Sequence, residues 1–143
     1  MYPKRIAVVI PVFNDWESFR MLLNDLSIFA KKLNLNINIL VVDDCSTVKN
    51  YPNNLSKSKN IKINILRLRC NLGHQRAIAV GLCEALKFEE LEGVVVMDSD
   101  GEDRVEDIFN LISTETSAIV VAKRSSRSEG IEFIAFYKIY KFI

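Results

Sequence analysis

Short apolar runs alternate along the chain with longer stretches of helical periodicity. Arg5 to Ile10 (RIAVVI) has the character of a buried strand, ended by Pro11. From Trp16 to Leu33, the residues Phe19, Leu22, Leu23, Leu26 and Phe29 recur at the spacing of a helix with one buried face. Ile37 to Val42 (INILVV) predicts a second strand, stopped by Asp43 and Asp44. Val48 to Lys59 is rich in Asn, Ser and Lys and reads as a loop or a frayed helix. Ile61 to Leu68 predicts a third strand. Leu72 to Phe88 predicts a second helix with Ile78, Leu82, Ala85 and Leu86 inward. Gly93 to Met97 predicts a fourth strand, Val105 to Ile112 a third helix, and Ala118 to Ala122 (AIVVA) a fifth strand. Ile131 to Ile143 has helical spacing, with Phe133, Phe136, Tyr137, Tyr140 and Ile143 on one face and Lys138 and Lys141 off it.

Strands that alternate with helices imply an α/β fold, a mostly parallel sheet with helices on both faces. Ligands of such sheets bind beyond the carboxyl ends of the strands. Each predicted strand is followed there by polar residues. Asn14 and Asp15 follow the first, Asp43 and Asp44 the second, and Asn71 with Gly73 the third. Asp98 and Asp100 follow the fourth, and Lys123 and Arg124 the fifth.

A length of 143 residues suits one domain with one core. The net charge of +1 gives no reason to expect a nucleic-acid partner, because a phosphate backbone is held mainly by clustered Lys and Arg. Cys45, Cys70 and Cys83 are odd in number and match no zinc spacing, so reduced thiols and a cytoplasmic setting are expected. No signal peptide is read at the start, where Pro11 and Asn14 interrupt the apolar run. No stretch reaches the roughly 18 apolar residues of a membrane span.

The strongest local signal is VVVMDSDGEDRVEDI, residues 94 to 108. Asp98 and Asp100 stand two positions apart after a buried strand. A hard cation, Mg2+ or Mn2+, takes oxygen ligands and keeps water and phosphate oxygens in its shell, so one or two carboxylates suffice. Gly101 allows a sharp turn, and Glu102 and Asp103 add acceptors. The plainer alternative is a solvated acidic loop opening a helix, where Asp and Glu are favoured. Asp103, Glu106 and Asp107 are read as that helix start.

Five segments together resemble family 2 glycosyltransferases. IPVFND (10 to 15) looks like that family's first strand and turn, and VVDDCST (41 to 47) like its second-strand motif. NLGHQRAIAVGL (71 to 82) matches its Asn-x-Gly helix start, MDSDGEDRVEDI its metal motif, and VVAKRSSRSEG (120 to 130) the strand and basic loop that follow. Order and spacing agree over nearly the whole chain, and the nearest likeness is to polyprenyl-phosphate sugar transferases.

The resemblance implies a GT-A fold and transfer of a sugar from a nucleotide-diphosphate sugar to a polyprenyl-phosphate or saccharide acceptor. It also implies the site. Pro11, Val12 and Asp15 would line the nucleotide pocket, Asp43 or Asp44 would hold the base or ribose, and Gly73 and Arg76 would lie near the base. Asp98 would approach ribose and metal, Asp100 would be the main metal ligand, and Glu102 a further one. Arg124 would face the diphosphate or the acceptor. Residues 1–130 are then the nucleotide-sugar-binding domain. Residues 131–143 begin an acceptor or membrane-proximal part that family enzymes continue and this sequence does not. The aromatic tail predicts self-association into a homo-oligomer or peripheral contact with the inner face of the cell membrane.

Other readings are weaker. A binding-only remnant of the same fold is the runner-up. A receiver-like signalling domain would share the acidic VVDDCS strand end but not the D-x-D or the NLGHQR helix start. A nucleotidyltransferase lacks its Gly-rich phosphate loop here. His74, the single histidine, reads as a structural or edge residue, Arg67 and Arg69 as surface charges, and Arg76 equally as a solvated helix residue.

Overall fold

The computed structural model describes residues 2–48, 58–114 and 119–122. Four strands and three helices follow in the order β1 (Arg5–Val12), α1 (Trp16–Leu33), β2 (Asn36–Asp43), β3 (Ile61–Arg67), α2 (His74–Ala85), β4 (Gly93–Val96) and α3 (Asp107–Ser113). The strands form one parallel sheet in the order β3-β2-β1-β4. The connection moves outward from β1 to β3, then returns past β1 to β4. Parallel crossovers are right-handed, so reversing direction moves the connecting helix to the opposite face. The packing follows that rule.

Alternation along β1 and β2 sorts the core into two layers. Ile6, Val8, Ile10, Ile37, Ile39 and Val41 pack with Phe19, Leu22, Leu23, Leu26 and Phe29 of α1 and with Ile108 of α3. Ala7, Val9, Leu40 and Val42 face the other way, against Ala77 and Ala85 of α2. The apolar stripe of α1 is the one its periodicity predicts. Asp15 caps that helix, its Oδ1 accepting from the Ser18 amide at 3.3 Å, and Asn34 ends it in the left-handed conformation. β1 runs past Pro11 to Val12. Its ladder with β4 has ended at the Val9–Val96 pair, so the missing N–H of Pro11 forfeits no bond there.

Two expectations need correction. α2 does not turn Leu82 and Leu86 inward, for both are exposed; Ala77, Gly81 and Ala85 form its buried face, and Ile78 is only partly covered. The cause is proximity. A Cβ on Gly81 would lie 2.5 Å from Val9 Cγ1 and 2.7 Å from Val42 Cγ2, so the helix backbone rests directly on the valines. The second correction is the fifth strand. Residues 119–122 carry no strand pairing, and Ile119 and Val121 are exposed. An apolar run favours burial without specifying a ladder, and among the described residues this one has neither a pairing partner nor a cover. Ala118, Lys123, Arg124 and the tail helix proposed for 131–143 lie outside the described residues.

Gly81→Ala tests the helix-to-sheet contact. Alanine normally gains about 1 kcal/mol over glycine inside a helix. Overpacking of a close contact costs roughly 1–3 kcal/mol, which is expected to reverse the sign. Urea unfolding should show a net loss of stability; a variant more stable than the parent would mean that α2 stands off the sheet.

Candidate functional site

The sheet reverses its strand order between β1 and β4, and a cleft of about 530 Å³ opens there beyond the carboxyl ends of the strands. Pro11, Val12, Phe13 and Asp15 line it from the end of β1, and Asp98, Ser99 and Asp100 from the end of β4. Asp44, after β2, and Asn71, Gly73 and His74, at the start of α2, complete the lining.

The segment after β4 is a hydrogen-bonded turn. The Asp98 amide donates to Asp103 Oδ2 at 3.1 Å, and the Glu102 amide donates to Asp100 Oδ1 at 2.9 Å. Gly101 adopts φ +81°, a backbone that L side chains resist, so the chain can double back on itself here. Asp98 and Asp100 therefore reach the same cleft from one short turn. Glu102 is exposed and borders a different hollow, of about 980 Å³, outside β4. Among the described residues no group of three His, Cys, Asp or Glu side chains is gathered to hold a metal ion. A carboxylate pair on an open cleft fits a hard divalent cation that draws its remaining oxygens from water and a phosphorylated ligand.

The adjacent carboxylates of VVDD have different surroundings. Strand alternation sends Asp43 to the α1 side, fully buried and off the cleft lining. Its Oδ1 accepts from the Ser46 amide at 2.8 Å, and its Oδ2 lies 3.4 Å from Arg67 Nε. Asp44 turns to the α2 side and lines the cleft. It is 3% exposed, and it grips the loop before α2 with both oxygens: Oδ1 accepts from Leu72 N at 2.7 Å and Oδ2 from Gly73 N at 2.9 Å. The Asn71 side-chain amide donates to the Asp44 carbonyl at 3.2 Å. Arg67, read from sequence as a surface charge, also donates from Nη2 to the Ser46 carbonyl at 3.2 Å.

The turn after β1 is tied to the same region. Asn14 has φ +62°, and its Oδ1 accepts from the Thr47 and Val48 amides at 2.8 and 3.0 Å. Its own amide donates to Ser46 Oγ at 2.9 Å. Ser46 and Thr47 thus brace this turn.

Of the site residues expected from sequence, the fold brings Pro11, Val12, Asp15, Asp44, Gly73, Asp98 and Asp100 to one cleft. Asp43 stands behind its wall, Arg76 is exposed on α2 off the lining, and Arg124 is outside the described residues. Phe13, Asn71, Ser99 and His74 also line the cleft. His74 is the residue whose place the sequence concealed: its Nε2 lies 3.3 Å from Asp98 Oδ1.

Known proteins resemble this chain in sequence and in fold. The chain matches the family model "Glycosyl transferase family 2" over residues 7–141. It is 30% identical to an uncharacterised glycosyltransferase, YkoT of Bacillus subtilis, over 94% of this chain and 43% of that protein. It is 26% identical to an undecaprenyl-phosphate 4-deoxy-4-formamido-L-arabinose transferase of Photorhabdus laumondii, over 90% of this chain and 39% of the relative. The chain thus spans about two fifths of the length of these relatives. Among solved structures, S. aureus TarS superposes with a TM-score of 0.55 at 26% identity, covering 76% of this chain and 19% of TarS. The sheet is the mostly parallel one of the GT-A fold, and the chain belongs to glycosyl transferase family 2.

Proposed function

We propose that the cleft between β1 and β4 binds a nucleotide-diphosphate sugar, and that the chain is the donor-binding part of a glycosyltransferase. The observation that carries this reading is the convergence of Asp98 and Asp100 with Asp44 and the start of α2 on one cleft, in a chain of this family. Each group has a role its chemistry suits. Pro11 and Val12 offer an apolar floor to the base, beside Asp15. Asp44 accepts from a base N–H or a ribose hydroxyl, since each of its oxygens keeps a lone pair beyond its backbone bond. Asp43 supports the wall from behind. Gly73 leaves room for the nucleoside, and Arg76 lies in the first turn of α2, exposed and off the lining.

Asp100, with Asp98, would hold Mg2+ or Mn2+; Glu102, the further ligand the family pattern suggests, borders the hollow outside β4 and would have to turn toward the cleft to join them. Bound there, the cation would neutralise the departing nucleotide diphosphate as a Lewis acid. Arg124 suits the same anionic group, since guanidinium pairs well with phosphate oxygens. The acceptor oxygen forms its bond to the anomeric carbon as the bond to the diphosphate breaks, with inversion.

A polyprenyl phosphate is the acceptor we favour. Such a phosphate is already an anionic nucleophile and needs no protein base, and one relative is named for an undecaprenyl-phosphate substrate. That acceptor would place the protein at the inner face of the membrane. Among the described residues no helix is long and apolar enough to cross it.

The test is a thermal-shift and calorimetric screen of UDP, GDP, ADP and CDP, each with manganese and with chelator. A ligand at 100 times its Kd stabilises by about 2.7 kcal/mol, which a melting curve resolves. One diphosphate should raise the melting temperature in manganese and not in chelator. If none binds under either condition, the proposal fails.

A further inference from the structure

We infer that His74 is a positioning residue that fixes the Asp98 carboxylate for the donor and its cation; the inference rests on the function proposed above. The argument begins with the sheet. β3 and β4 lie at opposite edges, and α2 crosses back over β2 and β1 between them. The first residue of α2 is therefore carried over the carboxyl end of the sheet, toward the turn after β4. His74 is that residue, and its Nε2 lies 3.3 Å from Asp98 Oδ1.

The position of His74 is itself determined. The Asp44 carboxylate holds the amides of Leu72 and Gly73, the two residues before it, with one oxygen each. Gly73 enters the helix at φ +84°, with no atom within 4 Å of where a Cβ would stand. The loop is thus anchored by a buried acid on one side and delivers an imidazole to a second acid on the other. On the Asp98 side, the main chain is held by Asp103, which accepts the Asp98 amide. The main chain and the carboxylate of Asp98 therefore have separate supports, and His74 is at ion-pair distance from the carboxylate.

His74 has no comparable task in the core. Its side chain is 55% exposed, and it lines the cleft together with Asp98. A half-exposed ring is a weak contributor to stability. Carboxylates that hold a cation are commonly hydrogen-bonded by outer groups that orient the ligand oxygen, and losing such a support typically lowers affinity by about 10- to 100-fold.

The experiment is a double-mutant cycle on the 143-residue chain, read as the affinity for UDP, GDP, ADP and CDP in manganese chloride by calorimetry. Melting curves of every variant check that the fold is retained. His74→Ala should weaken the tightest diphosphate about tenfold. His74→Gln places an amide nitrogen near the site of Nε2 and should recover most of the loss; His74→Asn is too short and should not. In an Asp98→Asn background, His74→Ala should cost almost nothing further, because its effect passes through that carboxylate. An equal cost in both backgrounds would mean that His74 touches the ligand directly, and an unchanged affinity in His74→Ala would mean that it does nothing; either overturns the inference while leaving the donor site standing. A parent chain that binds none of the four diphosphates overturns the underlying function and this inference with it.

Discussion

Asp100→Asn is expected to cut the affinity for a nucleotide diphosphate in manganese by at least about tenfold, or about 1.4 kcal/mol, and to leave the affinity in chelator nearly unchanged. The side chain is exposed at the cleft and accepts from the Glu102 amide, a bond that an asparagine carbonyl can also accept. The fold therefore has little stake in the charge. A cation has a large one, because asparagine supplies an oxygen without the negative charge that a hard divalent ion prefers. Calorimetry of parent and variant in both media separates the two contributions. Equal losses in manganese and chelator would assign Asp100 to the nucleotide rather than to the cation.

Asp44→Ala should act mainly on the fold. The substitution strips both acceptors from the Leu72 and Gly73 amides and leaves them to find water beside a nearly buried wall. Hydrogen bonds to a charged group contribute roughly 1.5–3 kcal/mol each. Part of that returns as the loop relaxes, so a loss of about 3 kcal/mol is expected. With an unfolding entropy of roughly 2.1 cal/mol/K per residue, the melting temperature should fall by about 10 °C. Asp44→Asn keeps one acceptor and should lose about half as much. Its nucleoside affinity should fall as well, because Asp44 lines the cleft and Asp43 does not. If Asp44→Asn melts like the parent yet binds poorly, the residue serves the ligand alone and its grip on the loop is incidental.

Where burial was marked by large side chains, the chain was legible. Phe19, Leu22, Leu23, Leu26 and Phe29 announce the α1 face, and the valine and isoleucine runs announce four of the strands. The position of Asp98 and Asp100 at the strand end was legible too, since polar residues straight after an apolar strand run lie at its edge. The α2 face was not. Ala77, Gly81 and Ala85 carry little hydrophobic signal, while Leu82 and Leu86 carry much and are exposed. Close approach selects small residues, which periodicity reads as weak. The division of labour between Asp43 and Asp44 was hidden for a related reason. Alternation states that they point to opposite faces, but which face meets the start of α2 depends on the handedness of two crossovers. His74 was missed because its neighbour Asp98 is 24 positions away on the far edge of the sheet. Residues 119–122 were taken for a strand because of their apolar content, which among the described residues secures neither pairing nor burial.

The most direct measurement of the central claim uses manganese as a paramagnetic probe. Amide spectra of the isotope-labelled chain would be recorded with a nucleotide diphosphate, first with magnesium and then with manganese. If the cleft between β1 and β4 holds the donor and its cation, signals of Asp98 to Gly101, Phe13 to Asp15 and Gly73 to His74 should broaden first, with those around Asn24 and Lys62 unaffected. Broadening centred instead on the hollow outside β4, at Val94, Val96 and Leu111, would contradict the account.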